Sequence, residues 1–169
     1  MSLHSDLLEQ AEHLAKIDMR RPKQANLRRA ISASYYALFH LLTSEASALF
    51  VTDFGLAARI NRTFNHGEMK KASAMIANDK FPRGVRIPGG GTPAPPDFKV
   101  VASSFVKLQQ EREDADYQLD RTYDRRETLA FIQTARQAFE AWERVRRTDD
   151  ARLYLACFLL WKRWDEEPR

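Results

Sequence analysis

A short stretch in the middle of the chain carries the residue types best suited to chemistry. Arg59, Arg62 and His66 recur at steps of three and four residues. On one continuous helix this spacing places their side chains within roughly 60° of one another, nearly opposite the apolar residues. Two guanidinium groups can hold phosphates, and an imidazole can donate or accept a proton near neutral pH. The pattern indicates a surface that binds an anion and could process it.

Neighbouring polar residues extend this candidate site. Asn65 could orient a bound phosphate, and Lys70 adds a cation four residues after His66. Gly67 would let a backbone or a ligand approach closely. The same residues also fit a plain solvated helix face, because arginine is mostly exposed in folded proteins. Spacing alone favours the solvated face over a ligand site.

Other kinds of site find little support in the sequence. Cys157 is the only cysteine, which excludes a disulfide within the chain and a cysteine-based zinc site. His4, His13 and His40 are scattered without the spacing of metal ligands, so no metal and no other cofactor is predicted. The "GGGTP" run at 89–93 lacks the strand, the helix and the Lys-Ser/Thr pair of a phosphate-binding loop. No serine has the setting of a nucleophile elbow.

Composition places the chain among ordinary globular proteins. It has 169 residues, of which 44% are hydrophobic and 30% charged, and its net charge is +4. This length fits one domain with a sizeable core. The N-terminal residues do not read as a signal peptide, and the most apolar run, at 153–161, is about half the length of a membrane-spanning helix. A cytoplasmic protein with no membrane association is predicted.

Apolar residues recur at helical spacing along almost the whole chain. Proline and glycine interrupt the pattern at 20–24 and again at 80–97, and the second interruption is predicted to be an exposed, mobile loop. The predicted helices run roughly over 5–18, 25–51, 56–78, 98–117, from 124 onward, and 149–164. No segment has a convincing strand pattern. The fold class is therefore all-α, with a single domain over 1–169 and an appended C-terminal helix.

Several helix ends have recognisable signals. Asp97 is a good N-cap for the fourth predicted helix, and Asp124 and Glu127 have the spacing of a capping box for the fifth. Asp114 lies near the C-terminal end of the fourth helix, where a carboxylate is unfavourable for the helix dipole. A compensating cation is therefore expected, and Arg28 or the arginine after it is the candidate.

Two segments together resemble the HEPN family, a set of small helical domains common in prokaryotes. "LRRAISASYYALFHLL" (27–42) is similar to the long helix of the family, and "FVKLQQEREDADY" (105–117) is similar to its Arg…Ala-Asp-Tyr segment. The resemblance extends from about residue 5 to 145. It implies an antiparallel up-and-down bundle, which with the appended helix comes to about five to six helices. It also implies a homodimer.

The resemblance further implies an activity. Many HEPN members are metal-independent ribonucleases that carry an arginine, four to six residues, and then a histidine, with two such motifs meeting across the dimer. Arg59 and His66 have six residues between them. The implied function is a toxin or defence ribonuclease in which His66 is the general acid or base and Arg59 and Arg62 hold the phosphate. Two alternatives stay open: a non-catalytic module that binds nucleotide, nucleic acid or protein, and a structural dimer or antitoxin-like partner of a cognate protein.

Overall fold

The structure is a computed structural model that describes residues 2–80 and 94–166. These residues form seven α-helices and no strand, which confirms the predicted all-α class. The helices are α1 (Leu3–Lys16), α2 (Gln24–Ala48), α3 (Phe54–Asn61), α4 (His66–Ala77), α5 (Pro96–Tyr117), α6 (Arg125–Val145) and α7 (Asp149–Glu166). Over the described ranges, none of them has the length and apolar character needed to cross a membrane. The loop predicted at 80–97 falls mostly on 81–93, outside the described residues.

The start of α6 follows its sequence signal. The Glu127 backbone N–H donates to Oδ1 of Asp124 at 2.7 Å, as predicted from the capping-box spacing. The N-cap predicted for α5 at Asp97 is wrong by two positions, because the helix already begins at Pro96. Proline is favoured at the first helical position, where its missing N–H has no intrahelical partner to lose. Asp97 therefore lies inside the first turn and is not the N-cap.

The helices contribute to two compact units. Unit 1 consists of Met1–Leu41 and Ser104–Glu140, and unit 2 consists of Leu42–Ser103 and Ala141–Arg169. Each unit has buried apolar side chains of its own. The single domain over 1–169 stays a prediction.

In unit 1 the two segments that carry the HEPN resemblance pack against each other. Tyr35 of α2 is fully buried and its ring lies 5.6 Å from that of Phe105 on α5. The Arg112 guanidinium lies 5.4 Å from the centre of the Tyr35 ring. Ser32 donates a hydrogen bond to Asp116 at 2.7 Å. Aromatic packing, a cation over a ring and a polar contact therefore join α2 to α5.

Arg28 satisfies the carbonyl groups at the end of α5. Its guanidinium donates to the carbonyl oxygens of Ala115 at 2.6 Å and Gln118 at 2.9 Å. These oxygens have no intrahelical partner and carry the negative end of the helix dipole, so a cation stabilises them. Asp114 instead pairs with Arg121 at 2.6 Å. Arg28 is therefore the cation predicted at this helix end, but its partners are carbonyl oxygens and not the aspartates.

In unit 2, α4 packs against α7. The Ser73 hydroxyl of α4 is hydrogen-bonded to the Tyr154 hydroxyl of α7 at 2.9 Å, and both side chains are buried. The ring of Tyr154 lies 4.6 Å from Phe158 and 6.4 Å from Trp142. Burial raises the pKa of Tyr154, so this hydroxyl stays protonated and can keep its hydrogen bond. The aromatic cluster fixes the helix that begins at His66.

Two carboxylates of unit 2 make the stability of the fold depend on pH. Asp97 accepts hydrogen bonds from Arg144 at 2.8 and 3.0 Å, and these bonds lower the pKa of its carboxyl. Hydrogen bonds from Lys99 and from the Ala94 backbone lower the pKa of Asp79 in the same way. A carboxyl whose pKa is lowered on folding stabilises the fold above its unfolded value of 3.8, and this contribution is lost as the pH falls toward the folded value.

Acidification is therefore expected to lower the midpoint of urea unfolding in the interval below about pH 4. The slope of this midpoint against pH should be smaller in Asp97→Asn, because the amide cannot titrate. Circular dichroism during urea titration at a series of pH values measures both effects. Asp149→Asn, which removes an exposed carboxylate of the same unit, is the control. An Asp97→Asn variant with the wild-type slope would contradict the prediction.

Candidate functional site

The continuous helix predicted over 56–78 is wrong, because the chain breaks between α3 and α4. Asn65 has an extended backbone, and its Oδ1 accepts hydrogen bonds from the N–H groups of Gly67 at 2.8 Å and Glu68 at 3.1 Å. Thr63 donates its hydroxyl to the Ile60 carbonyl oxygen at the end of α3. Such short polar side chains compete with the helical hydrogen bonds and so favour a break. Asn65 followed by Glu68 is close to a capping-box signal, which could have revealed it.

The break distributes the predicted site residues over two helices and their connection. Arg59 lies in the last turn of α3 and Arg62 directly follows that helix, and both are exposed. His66 is the first residue of α4 and is half-buried, as is Lys70 one turn later. Arg59 and His66 therefore do not share one helical ridge. All of these residues remain in one short segment of unit 2.

The two arginines differ from the other predicted site residues in their electrostatic setting. Among the described residues, neither Arg59 nor Arg62 makes a side-chain hydrogen bond or an ion pair, and the nearby Glu68 pairs with Lys71 at 3.6 Å. Lys70 and His66 each have an interaction within the chain. The guanidinium groups are therefore the cations of this segment best placed to meet an anion from solvent.

Asn65 serves first as a structural cap. Its side-chain oxygen and the N–H groups of Gly67 and Glu68 are already paired with one another. The N-terminus of α4 therefore does not offer these two amides to a phosphate, although helix N-termini commonly bind anions. The predicted role of Asn65 in orienting a phosphate depends on its amide nitrogen, which can still donate.

An exposed apolar surface beside the arginines was missed by the sequence analysis. Leu56 is 50% exposed, and Phe54 is 89% exposed. Phe50 and Leu49, at the end of α2, are exposed as well. A groove of about 370 Å³ runs along residues 48–53 and Leu56. The signal lay in the density of large apolar residues over 49–56.

Within residues 2–80 and 94–166, no three His, Cys, Asp or Glu side chains are grouped so that they could hold a metal ion. No protein-family model matches the chain, and no curated protein or solved structure shows significant similarity to it. The described residues therefore place the chain in the all-α class of proteins. The resemblance to the HEPN family depends on the two quoted segments alone.

Proposed function

We propose that the chain is a HEPN-like protein that acts on RNA through the segment 59–66. The observation that carries this proposal is the pair of exposed arginines without an acidic partner in the described residues, beside a half-buried histidine. The antiparallel up-and-down bundle and the toxin or defence role implied by the resemblance belong to the same proposal. So does a cognate protein partner.

Phosphate binding is the first step of the proposed activity. A guanidinium group offers several N–H donors in a planar fork that matches the oxygens of a phosphodiester. Arg59 and Arg62 are three positions apart on and just after α3, so they can meet one phosphate or two successive ones. Because both side chains are exposed, RNA can reach them without opening the fold.

Cleavage is the second step, and His66 is its proton-transfer group. The imidazole accepts the proton of an RNA 2′-hydroxyl while that oxygen attacks the adjacent phosphorus. The bond from phosphorus to the 5′ oxygen breaks, and the leaving oxygen takes a proton. The products are a 2′,3′-cyclic phosphate and a free 5′-hydroxyl. Arg59 and Arg62 stabilise the negative charge that develops on the phosphate oxygens.

A non-catalytic binding module is the second candidate. The break between α3 and α4 favours it, because it removes the single ridge on which Arg59 and His66 were expected to cooperate. Binding needs only the two arginines, whereas cleavage also needs the imidazole at the same phosphate. The two candidates share the RNA-binding step and differ in whether product forms.

The double variant Arg59→Ala/Arg62→Ala is expected to weaken binding of a short single-stranded RNA at least about tenfold at low salt, since two phosphate contacts are lost. The slope of log affinity against log salt should also become shallower by about 0.7 for each phosphate contact removed. Fluorescence anisotropy of a labelled oligoribonucleotide at several salt concentrations measures both quantities.

The matched control is Arg147→Ala/Arg163→Ala, which removes two exposed arginines of unit 2 and the same net charge. It should bind RNA almost as tightly as the wild type. Equal loss of affinity in both double variants would mean that RNA responds only to net charge, and the assignment of the site to 59–66 would be abandoned.

A further inference from the structure

Unit 1 has a groove between α1 and α2 that the proposed function does not use. Its volume is about 340 Å³. Ser32 and Ala33 line it and are buried, so they form its floor. Leu7, Leu14 and Tyr36 also line it and are half-buried, so they form its sides. Sites for small molecules are typically clefts of roughly 300–1,000 Å³ with a mostly apolar lining, and this groove fits that description.

The groove follows from the order of large and small side chains on α2. Arg29, Ser32, Ala33 and Tyr36 recur at steps of three and four residues and therefore share one face of the helix. The two small residues leave room between the two long ones. Seven residues of helix span about 10 Å, which is the length of a molecule with one or two fused rings.

Arg29 supplies the charge of the groove. Its side chain is exposed and, within the described part of the chain, makes no hydrogen bond or ion pair. A guanidinium group beside apolar walls suits a carboxylate, which it can bind through two parallel hydrogen bonds. Of the described residues that line the groove, Arg29 alone is charged. Charge complementarity therefore favours a ligand with a single negative charge over one with several phosphates.

Ser32 gives the floor of the groove a fixed hydrogen-bond acceptor. Its hydroxyl donates to Asp116 of α5 at 2.7 Å. Arg112 lies 3.6 Å from the Asp116 carboxylate and 6.0 Å from the centre of the Tyr36 ring, so it pairs with the carboxylate and supports the ring. Because the Ser32 proton is already donated, its oxygen can only accept from a ligand. A fitting ligand therefore carries a hydrogen-bond donor.

We propose that this groove binds a small aromatic carboxylate with a hydrogen-bond donor on its ring. The carboxylate pairs with Arg29, and the donor reaches the Ser32 oxygen. The ring lies against Tyr36 on one side and the leucines of α1 on the other. This inference goes beyond the proposed function, because the groove belongs to unit 1 and needs neither RNA nor the segment 59–66.

Indole-3-acetate is the probe, since it combines a flat ring, an N–H donor and a carboxylate. Amide NMR spectra of the nitrogen-labelled full chain should show saturable shifts at Gln10, Arg29 and Tyr36, which line the groove. The dissociation constant should be about 1 mM or tighter, from the usual affinity per non-hydrogen atom. Indole-3-acetamide, which lacks the charge, should bind at least about tenfold more weakly. 1-Methylindole-3-acetate, which lacks the donor, should bind at least about threefold more weakly.

Two variants and a matched control assign the binding to the groove. Arg29→Gln should raise the dissociation constant at least about tenfold, because the charge-assisted hydrogen bonds are lost. Arg126→Gln removes the same charge from an exposed arginine of unit 1 that does not line the groove, and it should bind like the wild type. Ala33→Phe should abolish binding, because its ring occupies the groove. The dispersion of the amide signals shows that each variant is folded.

Several results would overturn the proposal. One is the absence of saturable shifts up to about 10 mM probe, and another is shifts that map to residues 49–56 instead of the groove. Equal affinity of Arg29→Gln and Arg126→Gln, or wild-type affinity in folded Ala33→Phe, would also contradict it. So would equal binding of either altered indole. Displacement of indole-3-acetate by a short oligoribonucleotide would assign the groove to RNA. Loss of RNA binding in Arg59→Ala/Arg62→Ala bears on none of these results.

Discussion

Replacement of Trp142 by alanine is expected to lower the free energy of unfolding by about 3–5 kcal/mol. The indole is fully buried in unit 2 and lies 6.4 Å from the ring of Tyr154. Among the described residues its N–H has no hydrogen-bond partner, so the loss comes from packing and from the cavity left behind. Chemical denaturation followed by far-ultraviolet circular dichroism measures the change.

Phe54→Ala is the matched control in the same unit. It removes a side chain that is 89% exposed, so the free energy of unfolding should change by no more than about 0.5 kcal/mol. If both substitutions destabilised the protein equally, Trp142 could not be the centre of a packed core.

Every predicted helix except the one over 56–78 corresponds to one observed helix, and the longest of them have the most regular patterns. The second, fourth and fifth predicted helices correspond to α2, α5 and α6, each of more than twenty residues. Their apolar residues recur over several turns, and Ile132 and Trp142 of α6 are fully buried or nearly so. The cap at Asp124 was also predicted correctly, from its spacing to Glu127. Periodicity and caps depend only on neighbouring residues, which is why sequence alone could reveal them.

The errors arose where distant contacts or short polar side chains decide the structure. Arg28 reaches the end of α5 by contacts between residues almost ninety positions apart, and nothing in the local sequence favours carbonyl groups over carboxylates as its partner. The helix breaks at Asn65, where the side-chain Oδ1 accepts the N–H groups of Gly67 and Glu68 in place of backbone carbonyl oxygens. Leu56 belongs to the apolar side of the helix predicted over 56–78, but it lies on the short helix α3 and is exposed.

These errors change how the candidate site is understood. The sequence correctly indicated exposed guanidinium groups at Arg59 and Arg62, because exposure follows from the polar side of a helix. The break that makes His66 the first residue of α4 depends on the Asn65 cap, a weaker sequence signal than the helical periodicity around it. The position of that helix depends on Ser73 and Tyr154, which join α4 to α7. The imidazole and the arginines are thus held by different elements, and cooperation at one phosphate requires the connection at 62–65 to keep its capped geometry.

His66→Ala is expected to slow RNA cleavage by about 10²–10⁴-fold, the usual contribution of a positioned proton-transfer group. RNA binding should persist, since Arg59 and Arg62 remain, and α4 should stay folded because alanine suits the first turn and Asn65 still caps it. Incubation with labelled single-stranded RNA in EDTA, followed by analysis of the product ends, measures the rate and detects the cyclic phosphate.

His13→Ala, which removes an exposed histidine of unit 1, is the control and should cleave at the wild-type rate. Wild-type cleavage by His66→Ala would refute the assigned mechanism, because no other group of the segment 59–66 can transfer a proton near neutral pH. Binding without cleavage by the wild type would instead select the non-catalytic module. In that case the arginines account for the whole activity, and the break between α3 and α4 explains why the histidine does not join them.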